Sequence, residues 1–386
     1  MCPECGSDAR FVEWRKKTFM SLFGPMEVDS PYYHCRGGCG WGCRSWDPML
    51  RLGTQALTPA AEEITSLAGV LGSFADGAER VLRKMSGLRL SESTVERTTE
   101  AAGQRVAAQG EAGGSLGPAA RWSWQKDALG RRCAYISLDA TGVRQQGPGG
   151  ARVDAKMAYV GMVYNANSAH DSTRPLPRQV RYLSGYFDFQ TLGRQLHREA
   201  LQVGWAEAEQ QIAISDGGNG LEDFFRTYFP KAECILDFWH AKEYLVELGK
   251  AIHPRDEEAR KRWTDELCHR LKHEGGPVVR ASLEALELSS APAEVREVHR
   301  RTVQYYRNHE HRMDYPRYVR NGWQIGSGPV ESGCKTVVGN RLKGGGMRWG
   351  QAGSDAVCHL RGLYLSEPAC WESFWNPPPI DRYPQI

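Results

Sequence analysis

The sequence predicts a mixed α/β protein. An α/β domain carrying a helical insertion follows a small cysteine-rich module and a short helical domain. Three observations lead there. Five of the eleven cysteines crowd into the first 43 residues. From Arg131 onward, short apolar and aromatic runs bounded by Gly and Asn alternate with amphipathic helical stretches. Residues 255–320 then carry helical periodicity with no strand-like run between them.

Composition sets the outer limits. Hydrophobic residues make up 41% and charged residues 25% of 386 positions, enough apolar material for full cores without disulfide staples. No stretch approaches the roughly 20 apolar residues of a membrane helix, so no membrane role is expected. The opening MCPECGSDARF lacks a basic-then-apolar run, so no signal peptide is expected either. A net charge of +3 is too mild to identify a partner, and only local clustering can do that. An odd cysteine count with one dense cluster fits a reduced, cytosolic protein with a metal site better than a disulfide framework.

Residues 1–50 hold that cluster. Cys2-x-x-Cys5 forms one knuckle and Cys35-x-x-x-Cys39 a second. Two thiolate pairs on tight turns can converge on one tetrahedral Zn²⁺, and the strand-like, turn-punctuated segment between them matches a zinc ribbon. The second pair has one spacer more than the commonest form, so Cys43 or His34 stands as an alternative ligand to Cys39. Four protein ligands leave no open position, so this zinc is structural.

Residues 58–109 form the helical domain, with three helices read between 62 and 106. Gly87 marks a turn, and Ser93-x-x-Glu96 reads as a capping box opening the third helix. The order resembles a helix-turn-helix, although an ordinary helical hairpin would look the same and the third helix offers only Arg97 and Arg105 as cations. Residues 110–120, rich in Gly, Ala and Pro, read as a linker.

The α/β domain begins at residue 121, with its first part running to 254. RRCAYISLDATGV is a strand ending in Asp139, KMAYVGMVYNAN a second and RQVRYLSGYFD a third. FQTLGRQLHREALQVGW is a helix, QIAISDGGNG a strand ending in Asp216, GLEDFFRTYFP a helix, and AECILDFWHAKEYLVELGKAI a strand running into a helix. Three strands, helix, strand, helix, strand is the order of a ribonuclease H-like fold. In that layout Asp139 and Asp216 end adjacent strands, where α/β sheets hold ligands. Either aspartate alone reads equally as a turn former; together they suit Mg²⁺, a hard cation that takes oxygen ligands. The third carboxylate expected from a helix is Glu331, at N3 if Gly328 caps, where it would also serve the helix dipole. Asp237 and His240 are auxiliary candidates at a strand-to-helix junction beside Asp216. They can order a metal site, contact a phosphate, or merely cap the helix.

Residues 255–320 are the helical insertion, 321–365 the last catalytic helix and its surroundings, and 366–386 a Pro-rich, extended tail. From Arg301 to Arg361 the net charge is +6, twice that of the whole chain. Lys335, Arg341, Lys343 and Arg348, with Trp323 among the interleaved aromatics, form a nucleic-acid footprint of phosphate-neutralising and base-stacking groups. A solvated helical face over core aromatics is the plainer alternative.

At these residues the chain resembles a known family. LDATGV, SDGGNG, DFWHAKEYL and above all IGSGPVESGCKTVVGNRLKGGGMRWG look like the ISKra-type insertion-sequence transposases, and CPECG…YYHCRGGCG…WDPMLRLG looks like that family's zinc-ribbon opening. The resemblance spans about residues 2–365. It implies a DDE enzyme with Asp139, Asp216 and Glu331 as first, second and third carboxylates. Asp139 would bridge two Mg²⁺ ions, Asp216 hold one and Glu331 the other, with Mn²⁺ as a substitute. Asp237-x-x-His240 matches the (Cys or Asp)-x-x-His signature of Mutator-like relatives that carry a helical insertion. The implied partners are DNA, both terminal inverted repeats and target DNA, with a homo-oligomer assembling on it in a prokaryotic, nucleoid-associated setting. Two rival functions share these features: a non-catalytic zinc-ribbon DNA-binding protein, such as a domesticated transposase, and a structure-selective DNA nuclease.

Overall fold

A computed structural model describes residues 1–46, 56–166, 179–218 and 220–377 of the chain. The chain divides into two compact units, Met1–Ala107 together with Trp375–Ile386, and Ala108–Phe374. Among the described residues no helix is long and apolar enough to cross a membrane.

In the first unit, β1 (Ala9–Ser21) and β2 (Gly24–Cys35) form an antiparallel hairpin with a bulge between Phe11 and Glu13, and β3 (Gly42–Arg44) pairs with β2. The hairpin brings the loop before Ala9 next to the one after Cys35, because Ala9 pairs with Cys35 itself. Three helices follow. α1 (Pro59–Leu71) is capped by Thr58, whose hydroxyl accepts from the Ala61 N–H, with Pro59 at the first position. α2 (Gly77–Ser86) is wound as a π-helix and stops at Gly87, whose φ of 74° is the left-handed conformation a side chain disfavours. α3 (Glu92–Glu111) begins two residues earlier than the Ser93 capping box predicts, because the hydroxyl of Ser91 takes the Thr94 N–H at 3.2 Å. Gly69 lets α1 approach α3, since a Cβ there would run into the Thr99 hydroxyl.

The second unit is built on a five-stranded mixed sheet in the order β6-β5-β4-β7-β8. These strands are β4 (Cys133–Val143), β5 (Lys156–Tyr164), β6 (Val180–Gly185), β7 (Gln210–Ser215) and β8 (Glu233–Leu236). β4, β5 and β6 are antiparallel neighbours; β7 and β8 run parallel to β4. Cys133 to Leu138 are all buried, the mark of a strand covered on both faces. Successive side chains of β5 show which helices do the covering. Gly161 lies under Leu192 and Leu196 of α4 (Phe189–Gln202). Val160 lies on the opposite face, under Gly333 of α11 (Gly328–Gly333). α5 (Leu221–Tyr228) follows β7, and α6 (Phe238–Ile252) follows β8. The insertion consists of α7 (Glu257–Glu274), α8 (Gly276–Glu284), α9 (Ala293–His309) and α10 (Tyr315–Arg320). After α11 the chain continues helical to Leu342, and α12 (Gln351–Leu365) packs on β6.

Three expectations differ from what is observed. β4 does not end at Asp139. It runs four residues further because Ala140, Thr141, Gly142 and Val143 pair with β5. The segment 110–120 is not a free linker. Leu116 is buried with its N–H on Glu199 Oε1 at 2.8 Å, and Pro118 O accepts from buried Arg181. The tail is helical from Pro368 to Trp375, and residues 378–386 lie outside the described residues.

Candidate active site and metal centre

The sulfurs of Cys2, Cys5, Cys35 and Cys39 lie within 4.8 Å of one another. Cys2 and Cys39 are 3.6 Å apart, and Cys5 and Cys35 are 3.3 Å apart. A tetrahedron of about 2.3 Å Zn–S bonds has edges of roughly 3.8 Å, so the cluster is compatible with a structural zinc. Cys43 is not in the group, and its thiol donates to Arg44 O, so the fourth position is Cys39. His34 turns Nδ1 to Cys35 O. The thiols are unequal. Hydrogen bonds from Ser7 lower Cys5 to about 6. Cys39 is pushed up to about 12, burial and the neighbouring thiols overcoming the Trp41 N–H that pulls it down.

In the second unit, Asp139 lies on β4 just beyond its pairing with β7. The last pair is Ser137 with Ile214, and continuing that register two positions puts Asp216 level with Asp139. Asp139 Oδ1 accepts the Ala140 N–H at 2.7 Å, and its Oδ2 accepts the Cys334 thiol at 3.4 Å. Burial holds the Asp139 carboxyl above the usual carboxylate range, and the charge of nearby Asp216 adds to this against those two donors. Asp216 Oδ1 takes the Gly218 N–H, tightening the turn that leaves β7. Gly217 is squeezed in this turn, since a Cβ would sit 2.7 Å from Tyr305 and 2.9 Å from His309.

Glu331 belongs to α11, which rests on Val160. Val160 is the cross-strand partner of Asp139, so the helix lies on the sheet face that bears Asp139. The cap of this helix is Ser327 rather than Gly328, which moves Glu331 from N3 to N4. Ser327 Oγ stands 2.6 Å from Glu331 Oε1 and 2.8 Å from Asp237 Oδ2. Asp237 is fully buried at the start of α6 and accepts from Ser327 N, Trp239 N and His240 Nδ1, the last at 2.6 Å. These bonds draw Asp237 below the usual carboxylate range in spite of burial, and His240 rises to about 9 on its bond to Asp237. Asp237, His240 and Glu331 are therefore the ligand-type groups that converge, within 4.8 Å. Glu331 was expected to converge on Asp139 and Asp216; its nearest such neighbours are the auxiliary pair, drawn to it through Ser327.

The basic footprint divides. Lys335, Lys343 and Arg348 are exposed, with Lys343 Nζ bonded to Thr141 Oγ1 on β4. Arg341 is instead 2% exposed, over the ring of buried Trp349, and Trp323 is buried against Tyr318 with its Nε1 on Asp127. These two face inward because apolar neighbours and an internal carboxylate accommodate them, unlike the three exposed cations.

Several contributors were not singled out from sequence. Arg312, 2% exposed in the turn after α9, donates to Ser215 Oγ and O, Asp216 O and Ile235 O. Tyr315 donates to Leu236 O, and Tyr306 to Ala241 O. The insertion thus ties down the strand ends that carry Asp216 and Asp237. Cys334 and Ser327 complete the set. The Ser-x-x-x-Glu spacing was a signal for Ser327; nothing local marks Arg312. Compared with models of known protein families and with curated proteins, the chain matches none.

Proposed function

We propose that this chain is a DDE DNA transposase with a ribonuclease H-like catalytic domain, cleaving insertion-sequence ends and joining the 3′-hydroxyl to target DNA by two-metal phosphoryl transfer. The observation that carries this reading is the placement of three acids. Asp216 follows the end of β7, where the register of its parallel neighbour β4, carried two positions past the last pair, reaches Asp139, and the Glu331 helix packs over the Asp139 face of the same sheet. A sheet ordered β6-β5-β4-β7-β8, antiparallel on one side and parallel on the other, supports the ribonuclease H-like assignment.

The donor set fits a hard divalent cation. All three groups offer carboxylate oxygens, and Asp139 is held up mainly by burial, with a smaller contribution from the charge of Asp216 that a cation would relieve. Mg²⁺, or Mn²⁺ in its place, bound by Asp139, Asp216 and Glu331 would supply Lewis-acid stabilisation of the attacking and leaving oxygens. The chain's own residues do the positioning. Asp139 is fixed by its strand and by the Cys334 thiol, Asp216 by the Gly218 N–H, and Glu331 by Ser327. Lys343, beside Thr141, and exposed Lys335 and Arg348 can neutralise DNA phosphates. The four-cysteine ribbon and the helices of the first unit would contact terminal repeats.

The deciding experiment incubates the protein with DNA carrying the element's flanking ends, with and without Mg²⁺, and maps the nicks. Asp139→Asn and Glu331→Gln should each retain end binding and lower cleavage below about one hundredth of wild type. Unimpaired cutting by Glu331→Gln would remove Glu331 from the mechanism. Ends bound but never nicked would favour the non-catalytic protein. Nicking without joining of pre-cut ends would favour a nuclease.

A further inference from the structure

Among the described residues of Ala108–Phe374, Trp239 is the one aromatic found with the exposed large apolar side chains, at 55% exposure. It lies between Asp237 and His240, on the first turn of α6, with its backbone N–H on Asp237 Oδ1. Its ring forms one wall of an open groove of about 490 Å³, alongside Lys272, Trp323, Gln324, Gly326 and Pro329. That volume lies in the range of about 300–1,000 Å³ typical of ligand sites. The groove and the acidic site share a wall. A Cβ on Gly326 would lie 3.0 Å from the Trp239 ring and 3.6 Å from Asp237 Oδ1, so a side chain there would press on the indole where the chain enters α11.

The groove's charge says what it can take. No carboxylate lines it, and Lys272 does; Lys242, with Nζ 5.1 Å from the Trp239 ring centroid, belongs to the adjoining groove on the other side of the indole, beside Glu243 and Glu247. A flat aromatic with a cation on the groove's wall suits a planar, π-faced group tied to an anion. Neither a metal ion nor a basic peptide fits that combination. We propose that this groove holds one unpaired nucleotide of the DNA strand being processed, its base stacked on Trp239 and its phosphate paired with Lys272. The site deepens the transposase reading, on which its nearness to the scissile phosphate rests, but the stacking itself needs no metal.

The test is fluorescence anisotropy on the full-length protein without Mg²⁺, using a labelled oligo-dT single strand and a blunt duplex of equal length. Trp239→Ala should weaken single-strand binding about tenfold and leave duplex binding unchanged. Trp239→Phe, which keeps a stacking face, should retain most of the affinity. No single-strand loss in Trp239→Ala overturns the proposal, as does an equal loss on both probes. It also fails if Trp239→Ala lowers the molar mass by light scattering while binding both probes normally, for the groove is then a contact between copies of this chain. The two readings fail separately. A Trp239 effect in a protein with no Mg²⁺-dependent cleavage sinks the transposase and leaves the base site. Normal cleavage with no Trp239 effect does the reverse.

Discussion

Ser327 has one hydroxyl proton and faces two carboxylates, Glu331 at 2.6 Å and Asp237 at 2.8 Å. Asp237 already takes donors from Ser327 N, Trp239 N and His240 Nδ1, whereas Glu331 has only the hydroxyl among its bonds here. The proton therefore does most for Glu331, and Ser327 acts as its positioning residue. Ser327→Ala should lower Mg²⁺-dependent cleavage about 10- to 100-fold, with DNA affinity unchanged and cleavage rescued by Ser327→Thr. A cleavage rate equal to wild type would show that Glu331 is held by other means. The same cluster sets a pH dependence. His240 rises from an ordinary 6.5 to about 9 when folded, so its pairing with Asp237 stabilises fully below about pH 6.5 and is lost as pH climbs through 9. Asp237 shifts downward, so its share is present above its ordinary 3.8 and lost at more acidic pH. The melting temperature should fall between pH 6.5 and 9 more steeply in wild type than in His240→Gln; parallel slopes would remove the pair from the pH response. At this scale Asp139, Asp216 and Glu331 stand out in the sequence because turn glycines and a Pro-led helix start surround them, whereas the grouping of Glu331 with Asp237 and His240 does not. Cys334 does not stand out either, because its partner lies 195 residues away; for Ser327 the four-residue spacing to Glu331 is a local signal, but its bond to Asp237 spans 90 residues.

At the scale of elements, the helical insertion braces the sheet. Arg312 reaches the carbonyls at the ends of β7 and β8, adding a donor to Ser215 O, which also takes the Asp237 N–H, and bonding Asp216 O and Ile235 O, while Tyr315 donates to Leu236 O next to them. Arg312→Leu keeps volume but removes these buried donors. It should cost about 3 kcal/mol in urea unfolding and loosen Asp216 and Asp237 together. A loss under about 0.5 kcal/mol would show that water replaces the guanidinium. The strands themselves were readable from alternation and bounding glycines, since local pattern and burial agree there. The misreadings share one cause. Asp139 looked like a strand end because Ala-Thr-Gly is turn chemistry, yet pairing with β5 carries β4 to Val143. Arg341 and Trp323 looked like a surface because cations and aromatics cluster in sequence, yet Trp349, Tyr318 and Asp127 draw them inward. In each case a long-range partner outweighed a local preference.

For the molecule as a whole, the two compact units rest on different kinds of stabilisation. Ala108–Phe374 has a sheet covered on both faces and a core of its own. The sheet of the first unit is thinner. Phe11, Trp14, Phe23 and Met26 on β1, β2 and their turn are exposed, and only three strands take part. A sheet that buries so little needs another source of order, and a metal ion held by the four sulfurs at Cys2–Cys5 and Cys35–Cys39 would provide it. The Cys5 thiol, already lowered to about 6, would enter as thiolate near neutral pH, and the binding of zinc would release the remaining thiol protons. A strong chelator, or Cys39→Ser, should therefore abolish hydrogen-exchange protection across β1 and β2 and leave that of β4 and β7 at wild-type levels. Metal analysis should read one zinc per chain before treatment and none after. Cys43→Ser, outside the cluster, should keep both the zinc and the protection; loss of either would put Cys43 in the metal site and Cys39 out of it.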